Sequence, residues 1–243
     1  MSEHGEPGGP ARSERGPVVD EADRILALAR VLARLGKTER AITQYDAALA
    51  ARPGSEDAFV EVVALLERAE DWAGIARRCR AWLDELPDHS SHQYSDRVHN
   101  LHIDALCRSA GIDAAFAAYG LEQLDPGPVT LGADEILCVV VLRNENLRLP
   151  AFVDHHRRLG VDRFLCIDNG SDDGSVEWLL EQPDTVVWQT WSSYRGANCG
   201  AAWSDLVLRR HVTGQWCLLV DADEQFIFPD CESRSLGDLC RHL

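Results

Sequence analysis

The chain has 243 residues, enough for one large domain or two small ones, and 45% of them are apolar, ample for a packed core. Its 40 acidic side chains outnumber 24 basic ones, and the formal charge of −16 argues against nucleic-acid backbones and anionic membrane surfaces as partners. The eight cysteines form no C-x-x-C pair, no apolar run reaches a membrane span, and the first twenty residues lack the apolar stretch of a secretory signal. A reducing, cytoplasmic setting without a membrane segment is the expectation.

Residues 1–20 are polar, contain Gly8-Gly9-Pro10 and read as a disordered leader. From Glu21 the pattern turns helical. Ile25, Leu28, Ala29 and Leu32 make one face, Gly36 breaks it, and Ala41, Tyr45 and Ala48 make the next, closed by Pro53. Thirty-four residues later Pro87 closes a second pair of helical segments, 59–69 and 72–86. A third, less regular pair covers 101–110 and 114–124, broken at Gly111. This period, with small residues where helices cross, resembles the tetratricopeptide repeat over residues 21–127. The resemblance implies a helical array with a surface for a protein or peptide partner.

Asp125-Pro126-Gly127-Pro128 marks a boundary, and beyond it strands alternate with helices. Strands are expected at 136–142, 163–167, 185–189 and 215–220, and helices at 149–159, 175–180 and 197–211. A further short strand is expected at 225–228, before a helix-like tail. Unbroken aliphatic strands separated by helices imply a mostly parallel sheet covered on both faces. The fold class is therefore α plus α/β, a helical array followed by a mostly parallel, Rossmann-like α/β half-domain at 133–243.

Ligands of open α/β sheets bind beyond the carboxyl ends of the strands, and here the polar residues cluster at that edge. Arg143-Asn144-Glu145 follows the first strand, Asp168-Asn169-Gly170-Ser171-Asp172-Asp173-Gly174 the second, Trp191 to Arg195 the third and Asp221-Ala222-Asp223-Glu224 the fourth. The opposite edge carries ordinary helix-end residues such as Gly160 and Gly214. A bare D-x-D triplet is expected by chance in so acidic a chain; its weight comes from the apolar strand that delivers it and from the turns upstream.

The order V-x-R-N-E, the Asp-Asn-Gly-Ser-Asp-Asp-Gly-Ser turn and the D-x-D strand end resembles a family 2-type glycosyltransferase of GT-A fold, over about residues 135–243. The resemblance implies that Asn144 and Glu145 line a nucleotide pocket, that Asp168 contacts the base with Asn169 beside it, and that Asn198 lies near the nucleotide. It implies further that Asp221 faces the ribose or the metal and that Asp223 ligates Mn²⁺ or Mg²⁺. Oxygen ligands suit both ions, and diphosphate oxygens complete the shell. The implied activity is sugar transfer from a nucleoside diphosphate donor, with inversion. The general base that inversion needs is not recognisable: Asp230, Glu232 and Asp238 lack a catalytic context, and the chain reads as a fragment without its acceptor site.

Rival readings start from other residues. A non-catalytic scaffold would make the repeats the working part and the α/β segment a remnant. A nucleotidyltransferase would carry a Gly-rich basic loop after its first strand, where this chain has Arg143-Asn144-Glu145-Asn146. His89, His92, His99 and His102 make two H-x-x-H spacings; without nearby Cys they read as loop and helix surface rather than a zinc site. His155 and His156 are expected on an exposed helix face, and Trp188, Trp203 and Trp216 in the core. Trp191 and Arg195 are secondary candidates, for base stacking and phosphate contact.

Overall fold

The computed structural model describes residues 20–85, 92–125 and 127–243, with the side chains of 92–94 left aside. Packing divides the chain into two compact units, meeting at Ala69 and Glu70, so that the turn at 125–128 lies within the second. The expected leader falls almost wholly outside the described residues, as does His89.

The first unit is helical. Helices α1 (Glu21–Arg34), α2 (Thr38–Ala51) and α3 (Glu56–Arg68) follow in sequence, α1 packed on α2 and α2 on α3. Gly36, at φ 68°, ends α1; the Lys37 N–H donates to the Leu32 carbonyl and the Gly36 N–H to Ala33. A left-handed residue there is what a glycine C-cap supplies. Ala41, Tyr45 and Ala48 are the buried residues of α2, as the repeat pattern requires. Burying the Tyr45 ring obliges its hydroxyl to find an acceptor. It donates to Glu61 Oε2 at 2.8 Å, and the Arg30 guanidinium closes on the same carboxylate at 2.6 Å. The Arg30 pair and the Tyr45 hydrogen bond hold Glu61 below its ordinary carboxylate pKa against its partial burial. Leu28, Val31 and Leu35 remain 47–66% exposed, an apolar stripe on the other side of α1.

The second unit contains α4 (Trp72–Glu85), α5 (His92–Ala110) and α6 (Ile112–Ala118), then a five-stranded sheet. The strands are β1 (Glu122–Gln123), β2 (Leu137–Leu142), β3 (Arg163–Asp168), β4 (Thr185–Gln189) and β5 (Cys217–Leu219), in the order β1-β4-β3-β2-β5. Four are parallel; β1 pairs antiparallel with β4 at the edge. Helices α7 (Leu149–Leu159), α8 (Ser175–Leu180) and α9 (Ala201–His211) connect the parallel strands, and α10 (Leu236–Cys240) ends the unit.

Strand alternation sorts the core into two layers. Leu137, Val139, Leu165, Ile167 and Trp188 face one way and share a cluster with Trp203 and Leu206 of α9 and with Ile103, Phe116 and Tyr119 of α5 and its following segment. Cys138, Val140, Leu142, Phe164 and Cys166 face the other way, against Leu149, Phe152 and Val153 of α7 and Leu179 of α8. The segment read as the third helical pair is thus one wall of the α/β core. All eight cysteines are free thiols, and the strand cysteines act as small hydrophobes. No described helix is long and apolar enough to cross a membrane.

Several local expectations change. Helix α6 stops at Ala118, because Gly120 at φ 66° turns the chain into β1. The N–H of Val187 donates to Asp125 Oδ2 at 2.6 Å, so the boundary turn is sewn to the sheet edge. No strand forms at 225–228: His155 Nε2 lies 2.9 Å from the Phe226 carbonyl, and the Phe226 N–H donates to His156 Nε2. His156 is accordingly buried, not exposed, and Trp216 is half exposed at the β5 edge rather than in the core.

His99 and His102 are also buried, contrary to the surface expectation, and both place Nδ1 on the Tyr119 hydroxyl, at 3.2 and 2.9 Å. A hydroxyl has one proton, so one ring accepts from Tyr119 and the other donates to it. Burial pushes both imidazoles down to about 4 from an ordinary 6.5. Below pH 6.5 the unfolded chain therefore takes up protons that the folded chain refuses. Stability is fully present above that pH and falls as pH drops toward 4, by about 1.4 kcal/mol per pH unit and ring. Urea midpoints measured between about pH 7 and about pH 4.5 should show this slope, and His102→Gln should remove one ring's share. An unchanged slope in that variant sinks the assignment.

Candidate functional site

The parallel strands run in the spatial order β4-β3-β2-β5, so the direction of winding reverses between β2 and β5. Such a reversal leaves a crevice at the carboxyl edge. A cleft of about 350 Å³ opens there, lined by Leu142 at the end of β2 with Arg143 and Glu145 beyond it, Asn169 after β3, Tyr194 after β4, and Asp221 and Asp223 after β5. All four strand ends anticipated from the sequence contribute. Glu145, Asn169, Asp221 and Asp223 come together in this lining, while Asn144, Asp168 and Asn198 do not.

The three absentees have structural positions. Asp168 is buried beneath the cleft, where its carboxylate accepts from the N–H groups of Gly170 and Ser171 and from Gln189 Nε2, each at 3.0 Å. It fixes the turn that presents Asn169. Asn144, left-handed at φ 58°, ties that turn to the loop after β2: its N–H donates to Ser171 Oγ at 2.8 Å and its Oδ1 accepts from the Asp172 N–H at 2.9 Å. The same seam continues from the Glu145 N–H to Ser175 Oγ and from the Asn146 N–H to Asp173 Oδ2. Asp173 loses some solvation, but Ser175 and Asn146 more than offset this and hold its carboxyl below the ordinary range. Asn198 turns away: its Nδ2 donates to Asp96 and its Oδ1 accepts from Ser95, both on α5.

The residues that line the cleft are held more loosely. Asn169 is anchored by its Nδ2, which donates to the carbonyls of Thr190 and Ser192. Glu145 Oε2 accepts from Arg148 at 2.7 Å, and Arg148 is raised by that contact and, further off, by the charge of Asp223. Burial pushes the Tyr194 phenol up, helped by the neighbouring Cys199 and Asp221. Asp221 and Asp223 are exposed, and neither carboxylate has a hydrogen-bond or ion-pair partner among the described residues. Arg143, also exposed, pairs with no described acid.

Two glycines shape the surroundings. A Cβ on Gly170 (φ 72°) would lie 2.7 Å from the Trp191 ring, and one on Gly200 (φ 84°) would meet Val141 at 3.0 Å and Tyr194 at 3.2 Å. Side chains other than hydrogen would displace both aromatic rings. Trp191 stands 76% exposed over the Asp-Asn-Gly turn, outside the cleft lining. Arg143 and Tyr194 were visible as strand-end residues without an assigned role; the signal for them was position alone.

The donor set fits a hard divalent cation shared with a ligand. No group of three or more His, Cys, Asp or Glu among the described residues could hold a metal alone. Two unpartnered carboxylates are what remains for an ion whose other ligands are phosphate oxygens and water. Of the acids considered as a base, Asp238 caps α10 through Ser235 and pairs with Arg241, and Asp230 lies 3.9 Å from Arg234.

The tetratricopeptide repeat family profile matches residues 22–65, within the first unit. Plant proteins named glycosyltransferase family 92 are similar to the chain. One from Arabidopsis thaliana is 28% identical over 145 residues, 58% of this chain and 25% of its own length. One from Oryza sativa subsp. japonica is 32% identical over 111 residues, covering 44% and 18%, and one from Ricinus communis is 28% identical over 121, covering 47% and 22%. The chain thus spans a quarter or less of the length of these relatives. Their names carry family 92, not the family 2 whose motif order the sequence resembles. A solved structure of a Thermobaculum terrenum O-GlcNAc transferase mutant aligns with 91% of this chain and 37% of its own at 15% identity, with a TM-score of 0.28, too low to bear on the fold.

Proposed function

We propose that the cleft binds the nucleoside diphosphate of a sugar donor, and that the chain carries the donor-binding part of a metal-dependent glycosyltransferase of GT-A fold. The observation that supports this reading most is the pair of unpartnered carboxylates, Asp221 and Asp223, at the reversal point of a parallel sheet. Similarity to the family 92 proteins points the same way. Asp223 and Asp221 would hold Mn²⁺ or Mg²⁺, which supplies charge neutralisation for a departing diphosphate. Arg143 is free to take a phosphate oxygen, and Asn169, Tyr194 and Glu145 offer polar groups to ribose and base. Inversion at the transferred carbon belongs to the same proposal and rests on the motif resemblance.

Calorimetric titration with UDP, with and without Mn²⁺, tests it. Binding should require the ion, tightening by about 100-fold in its presence. Binding that ignores the ion would favour the scaffold reading.

The repeat unit, in a cytoplasmic protein, is proposed to take a protein or peptide segment along the exposed Leu28, Val31 and Leu35 stripe of α1. Leu28→Asp with Val31→Asp should abolish cross-linking to such a segment while leaving the helical circular dichroism intact. Retained cross-linking would place the partner elsewhere.

A further inference from the structure

A second pocket of this unit is larger than the cleft. A pocket of about 660 Å³ lies among α4, α5, the end of α6 and the loop after β4. Its wall includes Arg77 and Arg80 of α4, His102 of α5, Tyr119, Ser192 and Ser193, and among the described residues it contains no carboxylate. In a chain with 40 acids and 24 bases, a pocket whose described lining holds two arginines and no acid is a local reversal of charge.

The charge is nearly one unit. Arg80 is neutralised by Asp84, whose Oδ1 lies 2.6 Å from its guanidinium. Arg77 has no ion-pair partner among the described residues. His102 is 97% buried, and burial keeps its ring neutral, with a pKa down at about 4. Its Nδ1 is occupied by Tyr119, and its Nε2 has no hydrogen-bond partner among the described residues. That ring nitrogen is not sealed off in the core, so a ligand in the pocket can reach it. The remaining polar groups are serine hydroxyls, at Ser109, Ser192 and Ser193, interspersed with Ala73, Ala76 and Leu106.

We infer that this pocket binds a small, hydroxyl-bearing carboxylate of the acidic-sugar class, its anion on Arg77 and its hydroxyls on His102 and the serines. One unneutralised guanidinium matches a monoanion; a phosphate dianion would want a second. Arg pairs carboxylates through parallel N–H donors, and serine and imidazole suit sugar hydroxyls. The pocket is separate from the cleft. Ser192 and Ser193 line the one and Tyr194 lines the other, so the ligand abuts the loop between them, and the inference holds whether or not the cleft takes a nucleotide.

The test is calorimetry on the whole chain with glucuronate, glucose and glucose 6-phosphate. Glucuronate should bind measurably tighter than both. Arg77→Gln, a change on an exposed helix face that should not alter the melting temperature, should weaken it by at least about tenfold. His102→Phe tests the second contact and should weaken glucuronate while leaving the fold's circular dichroism unchanged. An oligosaccharide ending in glucuronate distinguishes the sources: tighter binding assigns the pocket to a glycan end, equal binding to the free acid, and both support the site. Equal affinity for glucose, preference for the phosphate, no glucuronate binding, or an Arg77→Gln protein that binds as before would each overturn it.

Discussion

Asp223→Ala is expected to weaken Mn²⁺-dependent binding of UDP by about 100-fold, some 2.7 kcal/mol, and to leave ion-free binding unchanged. The size follows from how few ligands the cleft offers. Glu145 is already engaged by Arg148, so Asp221 and Asp223 are the only carboxylates in the lining without a partner among the described residues. Losing one of two protein ligands should cost at least what losing an outer-shell partner does, about 10–100-fold. Because Asp223 is exposed and supports no described contact, its removal should change stability by less than about 0.5 kcal/mol. Glu224→Gln is the matched control: one residue further on, exposed, and absent from the cleft lining. An equal loss in Glu224→Gln, or a loss that persists without Mn²⁺, would show that the acids act through general charge rather than as ligands.

That the D-x-D strand end lies in a cleft was legible because strand period and chain order are local properties. Short, valine-rich unbroken runs such as Leu137–Leu142, bounded by turn residues, read as doubly buried strands, and the polar residues after them then share one edge. The division of labour at that edge was not legible. Asp168 and Asn169 are adjacent in sequence, yet one points down into three N–H donors and the other lines the cleft. Asn198 looked like a pocket residue until Asp96, 102 positions earlier, claimed its amide. His99, His102 and His156 read as surface because their partners, Tyr119 and Phe226, are remote in sequence. β1 was missed for another reason: two polar residues carry no period at all. The motif resemblance implies ligand contacts at Asn144, Asp168 and Asn198, and the structure places these three outside the cleft lining, in bonds between loops or to α5.

The seam carries a large expected stability effect. Asp168→Ala should destabilise the second unit by about 3–5 kcal/mol, since it strands three donors on a fully buried site. Asp168→Asn keeps one acceptor oxygen but sets an NH₂ group against the Ser171 N–H and removes the charge, and should cost about 1–3 kcal/mol. Both changes loosen the turn that carries Ser171 and Asp172, to which Asn144 is tied, so the loop after β2 should loosen with it. Hydrogen exchange at the Asn144, Gly170 and Ser171 amides should accelerate together in Asp168→Asn, with UDP affinity falling even though Asp168 is absent from the cleft lining. Chemical denaturation sets the magnitude, and a loss below about 1 kcal/mol in Asp168→Ala would mean that the donors find other partners. If exchange rises at Gly170 but not at Asn144, the two loops are not coupled, and the motif residues at 144 and 168 would have to be explained separately.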